Sequence, residues 1–260
     1  MKNLVAVTIP IYKEEIDQKE IISLKQCIKI LKQHVIIFFA PLSLNLTNYK
    51  KMCENEIDFK VILFEDHYFE NIAGYNNLML STHFYENFLD YKFILIHQLD
   101  AFVFKDELFY WCEQNYDFIG APVLEHKNLS GEIQFLKTYT KFLSTLKRCF
   151  NIKHVVSNVG NGGFSLRKTK TCYWLLKIFR SKVKSWGANN EDGFFSYWGN
   201  ILHPFFKLPS DDEALYFSIE HSPAESLKKL GNTMPFGCHA FEKFEPETWK
   251  LYIYDKTVIS

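Results

Sequence analysis

Two polar residues at alternate positions follow an apolar run and could share a cation. Residues 93–99 predict a buried strand, and Gln98 and Asp100 lie at its carboxyl end. Successive side chains of an extended chain point to opposite sides, so Gln98 and Asp100 point the same way. An amide oxygen and a carboxylate can ligate a divalent cation. A lone Asp after a strand is also typical of a turn or a helix cap.

A second cluster joins Asn161 to the adjacent glycines Gly162 and Gly163. Glycine lets the backbone pass close to a ligand, which makes this run a candidate binding loop. A bulge or a tight turn without a function gives the same pattern.

Two further clusters lie later in the chain. Glu191 and Asp192 open a helix predicted over residues 193–198, where negative charge is favoured, and Trp186 lies shortly before them. The pair indicates either a general base or a helix cap. His239 ends an apolar run and is either a ligand or a core histidine.

Alternating strands and helices position these clusters. A parallel sheet covered on both faces by helices is the expected arrangement, and such sheets bind ligands at the carboxyl ends of their strands. We therefore predict a three-layer α/β/α domain with a mostly parallel central sheet. The predicted strands are residues 4–10, 35–40, 60–64, 93–99 and 118–121, and the predicted helices are 20–33, 49–55, 76–89, 107–115 and 193–198.

Composition excludes several classes of protein. The 260 residues are 47% hydrophobic, which is too apolar for a disordered chain, and no apolar run approaches the length of a membrane span. The start of the chain lacks the pattern of a signal peptide, so we expect a cytoplasmic protein. The six cysteines form no C-x-x-C pair, which argues against a disulfide framework and a structural zinc site.

The charges are unevenly distributed along the chain. Thirty basic and thirty acidic residues cancel, which argues against nucleic-acid binding. Residues 137–184, however, hold twelve basic residues and no Asp or Glu. Within this segment, residues 135–150 predict an amphipathic helix. The segment could contact an anionic membrane, or its lysines could simply solvate two helices.

The order of the motifs resembles a known family. The start Ile9-Pro10-Ile11-Tyr12, the helix start G-Y-N-N that contains Asn76, and Gln98-Leu99-Asp100 in the place of a D-x-D motif resemble glycosyltransferases of the GT-A type. The runs G-G-F-S-L-R and W-G-x-x-x-E-D resemble inverting β-galactosyltransferases. The phrases H-Q-L-D-A-F-V-F, F-I-G-A-P and G-N-G-G-F-S-L-R resemble the bacterial domain-of-unknown-function family DUF5672, whose members are taken to be glycosyltransferases.

This resemblance implies roles for the clusters. Asp100, Gln98 and His239 would hold Mn²⁺ or Mg²⁺ against the diphosphate of a nucleotide-sugar donor, a UDP-sugar by family weighting. Gln98 departs from the family's first Asp. Pro10, Tyr12 and Asn76 would complete the donor site. Asp192, or less favourably Glu191, would be the base, while Glu191, Trp186, Asn161, Gly162 and Gly163 would contact the acceptor.

The implied reaction is inverting transfer in bacterial surface polysaccharide or lipopolysaccharide synthesis. Its acceptor would be a glycan or a lipid-linked glycan at the inner face of the inner membrane. Residues 1–123 would form the nucleotide-sugar half of one domain, and residues 124–260 the acceptor half. A sugar-1-phosphate nucleotidyltransferase and a non-catalytic carbohydrate-binding domain are the alternatives.

Overall fold

The fold is built on a central sheet of six strands. The structure, a computed structural model, describes residues 4–54, 56–123, 145, 149 and 156–254. The sheet order is β3-β2-β1-β4-β7-β6, in which the first four strands are parallel and β7 runs antiparallel to both its neighbours. The strands are β1 Val5–Pro10, β2 Val35–Pro41, β3 Phe59–Phe64, β4 Phe93–His97, β6 Phe118–Ile119 and β7 Phe164–Lys168.

Helices and a second, small sheet surround the central sheet. The small sheet has the order β5-β9-β8, with β5 Phe102–Val103, β8 Ser218–Ile219 and β9 Gly237–Cys238. The described helices are α1 Gln18–Leu31, α2 Thr47–Cys53, α3 Ile72–Met79, α4 Thr82–Glu86, α5 Leu108–Gln114, α6 Thr169–Ile178, α7 Arg180–Trp186, α8 Glu191–Leu202, α9 Asp211–Phe217, α10 Pro223–Lys229 and α11 Pro246–Ile253, and a 3-10 turn spans Asp66–Tyr68.

Both faces of the central sheet are buried. Val5, Val7 and Ile9 of β1 pack into one apolar cluster, while Ala6 between them packs into the cluster on the other face. The continuous apolar runs of the sequence correspond to this two-sided burial. The prediction of a three-layer, mostly parallel α/β fold is confirmed.

Several element boundaries differ from the prediction. The single helix expected over residues 76–89 is wrong: α3 and α4 replace it, because the side chains of Asn71 and Ser81 each accept a backbone N–H at the start of a separate helix. Helix α8 begins at Glu191 and is longer than the predicted 193–198. The amphipathic helix predicted over residues 135–150 lies outside the described residues, apart from Thr145 and Cys149.

None of the helices in the described part of the chain is both long and apolar enough to cross a bilayer. All six cysteines are free.

Candidate active site

Gln98, which directly follows β4, lies against residues 160–163, the glycine loop. The backbone N–H of Gln98 donates to the carbonyl of Gly163 at 2.8 Å, which extends the β4–β7 pairing by one step. Asp100 follows in the turn after the strand, with an exposed side chain. The two predicted ligands therefore lie at the carboxyl ends of β1 and β4, where an α/β sheet binds its ligands.

His239 reaches the same place from the small sheet. It directly follows β9, and its Nε2 lies 3.1 Å from Asp100 Oδ1 and 3.3 Å from Gln98 Oε1. The structure thus brings together the three side chains for which a shared cation was predicted.

Glu220, which sequence reasoning did not single out, holds the other side of this histidine. Its Oε1 lies 3.0 Å from His239 Nδ1. Because β8 pairs with β9 in parallel register at Ile219 and Cys238, the residues that follow each strand lie side by side. Strand β8 is two residues long, so it left no periodic signal in the sequence.

This environment changes the protonation of His239. Burial opposes the positive charge, but hydrogen bonds to Asp100 and Glu220 outweigh it and raise the pKa of His239 to about 10. Without a cation, the imidazole is therefore protonated near neutral pH and bridges two carboxylates.

The donor set fits a weak cation site. Across the described ranges, no group of three or more His, Cys, Asp and Glu side chains is arranged to hold a metal ion. The available donors are one carboxylate, one amide oxygen and one imidazole nitrogen. A carboxylate on the second ring nitrogen, as Glu220 provides, is the usual way in which a metal-ligating histidine is oriented.

The glycine loop packs against these side chains too closely for any larger residue. A Cβ on Gly163 would lie 2.1 Å from His239 Nε2 and 2.6 Å from Gln98 Oε1. A Cβ on Gly162 would lie 2.1 Å from Glu191 Oε1. A larger residue at either position would therefore displace these side chains.

Asn161 precedes the glycines in a left-handed conformation, with φ of 65°. Its Oδ1 accepts the N–H of Gly163 at 3.0 Å, whereas its buried Nδ2 makes no hydrogen bond. A strained residue with an unused donor is typical of a binding loop.

The acidic pair at the start of α8 divides into two environments. Glu191 is 4% exposed and forms an ion pair of 2.5 Å with the fully buried Arg167. Asp192 is half-buried and accepts the N–H of Asn161 at 2.5 Å and that of Gly193 at 2.8 Å. Asp192 is the second residue of α8, whose N-cap is Asn190 and which has no side-chain capping bond, so the structure does not support the capping interpretation.

Asp192 has the protonation behaviour of a base that works near neutral pH. Burial, followed by the charge of the neighbouring Glu191, raises the pKa of Asp192 to about 7. A carboxylate with such a pKa is a stronger base than an ordinary one and is deprotonated at slightly alkaline pH.

The predicted donor residues lie at or just after the carboxyl end of β1 and on α3. Pro10 ends β1 and is buried, and Tyr12 follows it with a ring centroid 5.7 Å from that of Tyr75. Burial, together with Tyr75 and Asp100, raises the pKa of the Tyr12 hydroxyl. Asn76 is buried, and its Nδ2 donates to the carbonyl of Ala188 at 3.0 Å.

Trp186 lies at the entrance of the loop that leads to α8. Its indole Nε1 donates to the carbonyl of Asn190 at 3.2 Å, and its ring packs against Phe194 and Tyr197. Asn76 and Trp186 thus both hold the loop of residues 187–190, which sets the position of the acidic pair.

Solved structures with a similar fold are glycosyltransferases. Mouse xyloside xylosyltransferase 1 is 10% identical, with 91% of this chain and 96% of that chain covered and a TM-score of 0.53. GlyE of Streptococcus pneumoniae TIGR4 is 13% identical, covers 98% of this chain and 62% of its own, and has a TM-score of 0.51. WbbM, a bifunctional glycosyltransferase, is 11% identical, with 98% and 52% covered and a TM-score of 0.51. This chain thus spans little more than half the length of GlyE and WbbM.

A search of curated proteins finds no match. A family model, however, matches residues 58–239. This range contains Gln98 and Asp100, the glycine loop, the acidic pair Glu191 and Asp192, and His239. The resemblance noted in the sequence is confirmed: the chain has the GT-A fold and belongs to the family described as Protein of unknown function (DUF5672).

Proposed function

We propose that this protein transfers a sugar, with inversion, from a nucleotide-diphosphate donor to a hydroxyl of a glycan acceptor. One observation carries the proposal: a single glycine loop touches both halves of the chemistry. Gly163 packs on His239 and Gln98, while a Cβ on Gly160 would lie 3.2 Å from Asp192 Oδ2. The side chains proposed to hold the cation and the proposed base thus contact positions only a few residues apart in one loop.

The donor half rests on the residues at the carboxyl ends of the central strands. Asp100, Gln98 and His239 would hold Mn²⁺ or Mg²⁺, and Glu220 would orient the histidine. The bound cation supplies positive charge to the departing diphosphate. Pro10 and Tyr12 would face the nucleobase and the ribose of the nucleotide. We propose that this nucleotide is a uridine nucleotide.

The acceptor half rests on Asp192. Its deprotonated carboxylate would take the proton of the acceptor hydroxyl while that oxygen attacks the anomeric carbon opposite the diphosphate, which inverts the configuration. The unpaired Nδ2 of Asn161 is available to hold an acceptor oxygen. Glu191 is 4% exposed and pairs with the buried Arg167, whereas Asp192 is less buried and has a pKa raised to about 7, which favours Asp192 as the base.

We also propose that the acceptor is a lipid-linked glycan of bacterial surface polysaccharide or lipopolysaccharide at an anionic membrane. The described part of the basic segment supports this, because α6 exposes Trp174 by 51% and Ile178 by 71% beside Lys177. Helix α7 continues this surface and ends at Trp186, next to the loop of residues 187–190. Aromatic and aliphatic side chains between lysines suit an anionic bilayer surface.

A donor screen tests the proposed reaction. The full chain is incubated with Mn²⁺ and each of a set of nucleotide sugars, and release of the nucleoside diphosphate is measured. We expect slow hydrolysis of one uridine-linked sugar, abolished in Asp192→Asn. Consumption of a nucleoside triphosphate with a sugar 1-phosphate would instead establish a nucleotidyltransferase, and glycan binding without any donor turnover would establish a carbohydrate-binding domain.

A further inference from the structure

Arg167, on β7, is a fully buried arginine that the roles described so far do not use. Its guanidinium carbon lies 5.5 Å from the ring centroid of Phe118 and 5.4 Å from that of Phe195. Its Nε donates to Ser165 Oγ and its Nη1 to the hydroxyl of Tyr85, each at 3.1 Å. The guanidinium plane is therefore fixed by both packing and hydrogen bonds.

The remaining nitrogen of Arg167 faces the glycine loop and the acidic pair. Nη2 donates to the carbonyl of Gly162 at 3.3 Å and to Glu191 Oε1 at 2.5 Å. The other oxygen of Glu191 accepts the N–H of Asp192 at 2.6 Å, and Asp192 Oδ2 accepts the N–H of Asn161, the residue before Gly162. These contacts close a ring that joins β7, the glycine loop and the start of α8.

The stability of the protein does not by itself explain this ion pair. The register partners of Arg167 on β4 and β6 are Ile94 and Phe118, so an apolar residue would suit the position. A buried ion pair is seldom more stable than an apolar pair of similar volume. Its location, one residue from the proposed base, therefore points to a role in the reaction.

We propose that Arg167 is a positioning residue that holds Asp192 through Glu191 and holds the glycine loop through Gly162. We further propose that the balance of charge between Arg167 and Glu191 sets the pH at which Asp192 can accept a proton. This inference rests on the proposed function, in which Asp192 is the base.

The direction in which each substitution should shift the pKa of Asp192 follows from the charges that face this residue. Glu191 on its own helix and Glu220 after β8 both raise the pKa of Asp192, and Arg167 on β7 offsets Glu191 through their ion pair. Removing the charge of Glu191 lowers the Asp192 midpoint. Removing the charge of Arg167 leaves the charge of Glu191 uncompensated, so the titration midpoint of Asp192 rises.

The test is a titration of the side-chain carboxyl of Asp192 by ¹³C NMR in the metal-free full chain, with the resonance assigned by its loss in Asp192→Asn. We expect the titration midpoint of Asp192 to fall by about one pH unit in Glu191→Gln and to rise by a similar amount in Arg167→Gln. The double variant Arg167→Gln/Glu191→Gln should return towards the wild type. Lys168→Gln is the matched control, since Lys168 pairs with Asp117 at 3.4 Å instead.

Arg167→Lys separates position from charge and also serves if Arg167→Gln does not fold. It keeps the charge but not the fork, so the midpoint should stay while kcat for transfer falls at least tenfold with the donor KM unchanged. An unchanged midpoint in Glu191→Gln, or full kcat in a folded Arg167→Lys, would overturn the inference. The expected midpoints in a chain that turns over no donor would leave the electrostatic coupling standing and refute the proposed function instead.

Discussion

At the scale of single residues, the site depends on the contrast between two adjacent carboxylates. Glu191 is buried and paired with Arg167, whereas Asp192 is half-buried and carries a pKa raised to about 7 by burial and by Glu191. Environments that separate two neighbouring acids in this way commonly separate their roles.

The first prediction concerns Asp192 as the base. Asp192→Asn should lower kcat for transfer by about 10² to 10⁴ while the Kd for the nucleotide changes little, because an amide cannot accept the proton. The wild-type rate should rise as pH increases through about 7, since only the deprotonated carboxylate is active. Calorimetry and a pH–rate profile measure both effects. Full turnover in Asp192→Asn with a dead Glu191→Gln would reverse the assignment.

The second prediction concerns Gly163. Gly163→Ala should displace His239 and Gln98, because the added carbon would lie 2.1 Å and 2.6 Å from their side-chain atoms. We expect loss of the Mn²⁺-dependent part of nucleotide binding, measured by calorimetry with and without EDTA. Gly231→Ala is the control for a general loss of stability. An alanine at its φ of 61° is strained and should lower stability, but no atom lies within 4 Å of the added carbon. Unchanged Mn²⁺-dependent binding in Gly163→Ala would contradict the proposed donor site.

At the scale of elements, the loop between α7 and α8 decides where the acidic pair lies. Asn76 on α3 holds the carbonyl of Ala188, and Trp186 holds that of Asn190. The start of α8 is thus positioned by a helix that is distant in sequence rather than by its own cap, since the side chain of Asn190 makes no capping bond.

The third prediction tests this anchoring. Asn76→Ala removes a buried hydrogen bond, so it should lower the free energy of unfolding by about 1 to 3 kcal/mol. It should also reduce kcat for transfer, because Asp192 is held less firmly. Urea denaturation and steady-state kinetics measure the two effects. Asn77→Ala, at the next position of α3, is the neighbouring comparison; equal losses in both variants would argue against a specific anchor.

At the scale of the whole molecule, the small sheet and the central sheet meet at His239. The histidine bridges Asp100, which follows β4, and Glu220, which follows β8. Its protonation therefore links the stability of the fold to the proposed binding of a cation.

The fourth prediction gives the pH dependence. The pKa of His239 rises from 6.5 to about 10 on folding, so its contribution to stability is complete below pH 6.5 and is lost as pH rises towards 10. In metal-free protein, the free energy of unfolding should fall between pH 7 and 9 by up to about 1.4 kcal/mol per pH unit. His239→Gln should lack this slope. Denaturant titrations at several pH values decide the matter.

The same proton competes with the proposed cation. Apparent affinity for Mg²⁺ should rise between pH 7 and 9, by up to about tenfold per pH unit, because the ligand must be the neutral imidazole. Calorimetry with Mg²⁺ and UDP measures it. An affinity that is independent of pH would remove His239 from the ligand set.

The fifth prediction concerns the membrane. The protein should co-sediment with anionic vesicles but not with neutral ones, and high salt should weaken binding, since each basic residue near the surface contributes about 1 kcal/mol. The double variant Trp174→Ser/Ile178→Ser should bind less at equal charge. Tyr110→Ser, an exposed aromatic on α5, is the matched control. If anionic vesicles fail to retain the wild type at low salt, a water-soluble acceptor replaces the lipid-linked one.

The sequence by itself determined the fold class and the order of the chemical motifs. The continuous apolar runs of β1, β2 and β4 predict a sheet buried on both faces, because such a run depends only on residues that are neighbours in the sequence. Gln98, Asp100, the two glycines, the acidic pair and His239 were all identifiable as types at characteristic positions.

Only the tertiary structure decided which of these residues are partners. Glu220 meets His239 through two-residue strands, and Arg167 meets Glu191 across 24 positions of the chain. Such contacts depend on strand register and on the angle at which α8 approaches the sheet, which no run of neighbouring residues encodes. The two acids are adjacent in sequence, yet they differ in burial and in contacts, because the surroundings on which a pKa depends come together only in the folded chain.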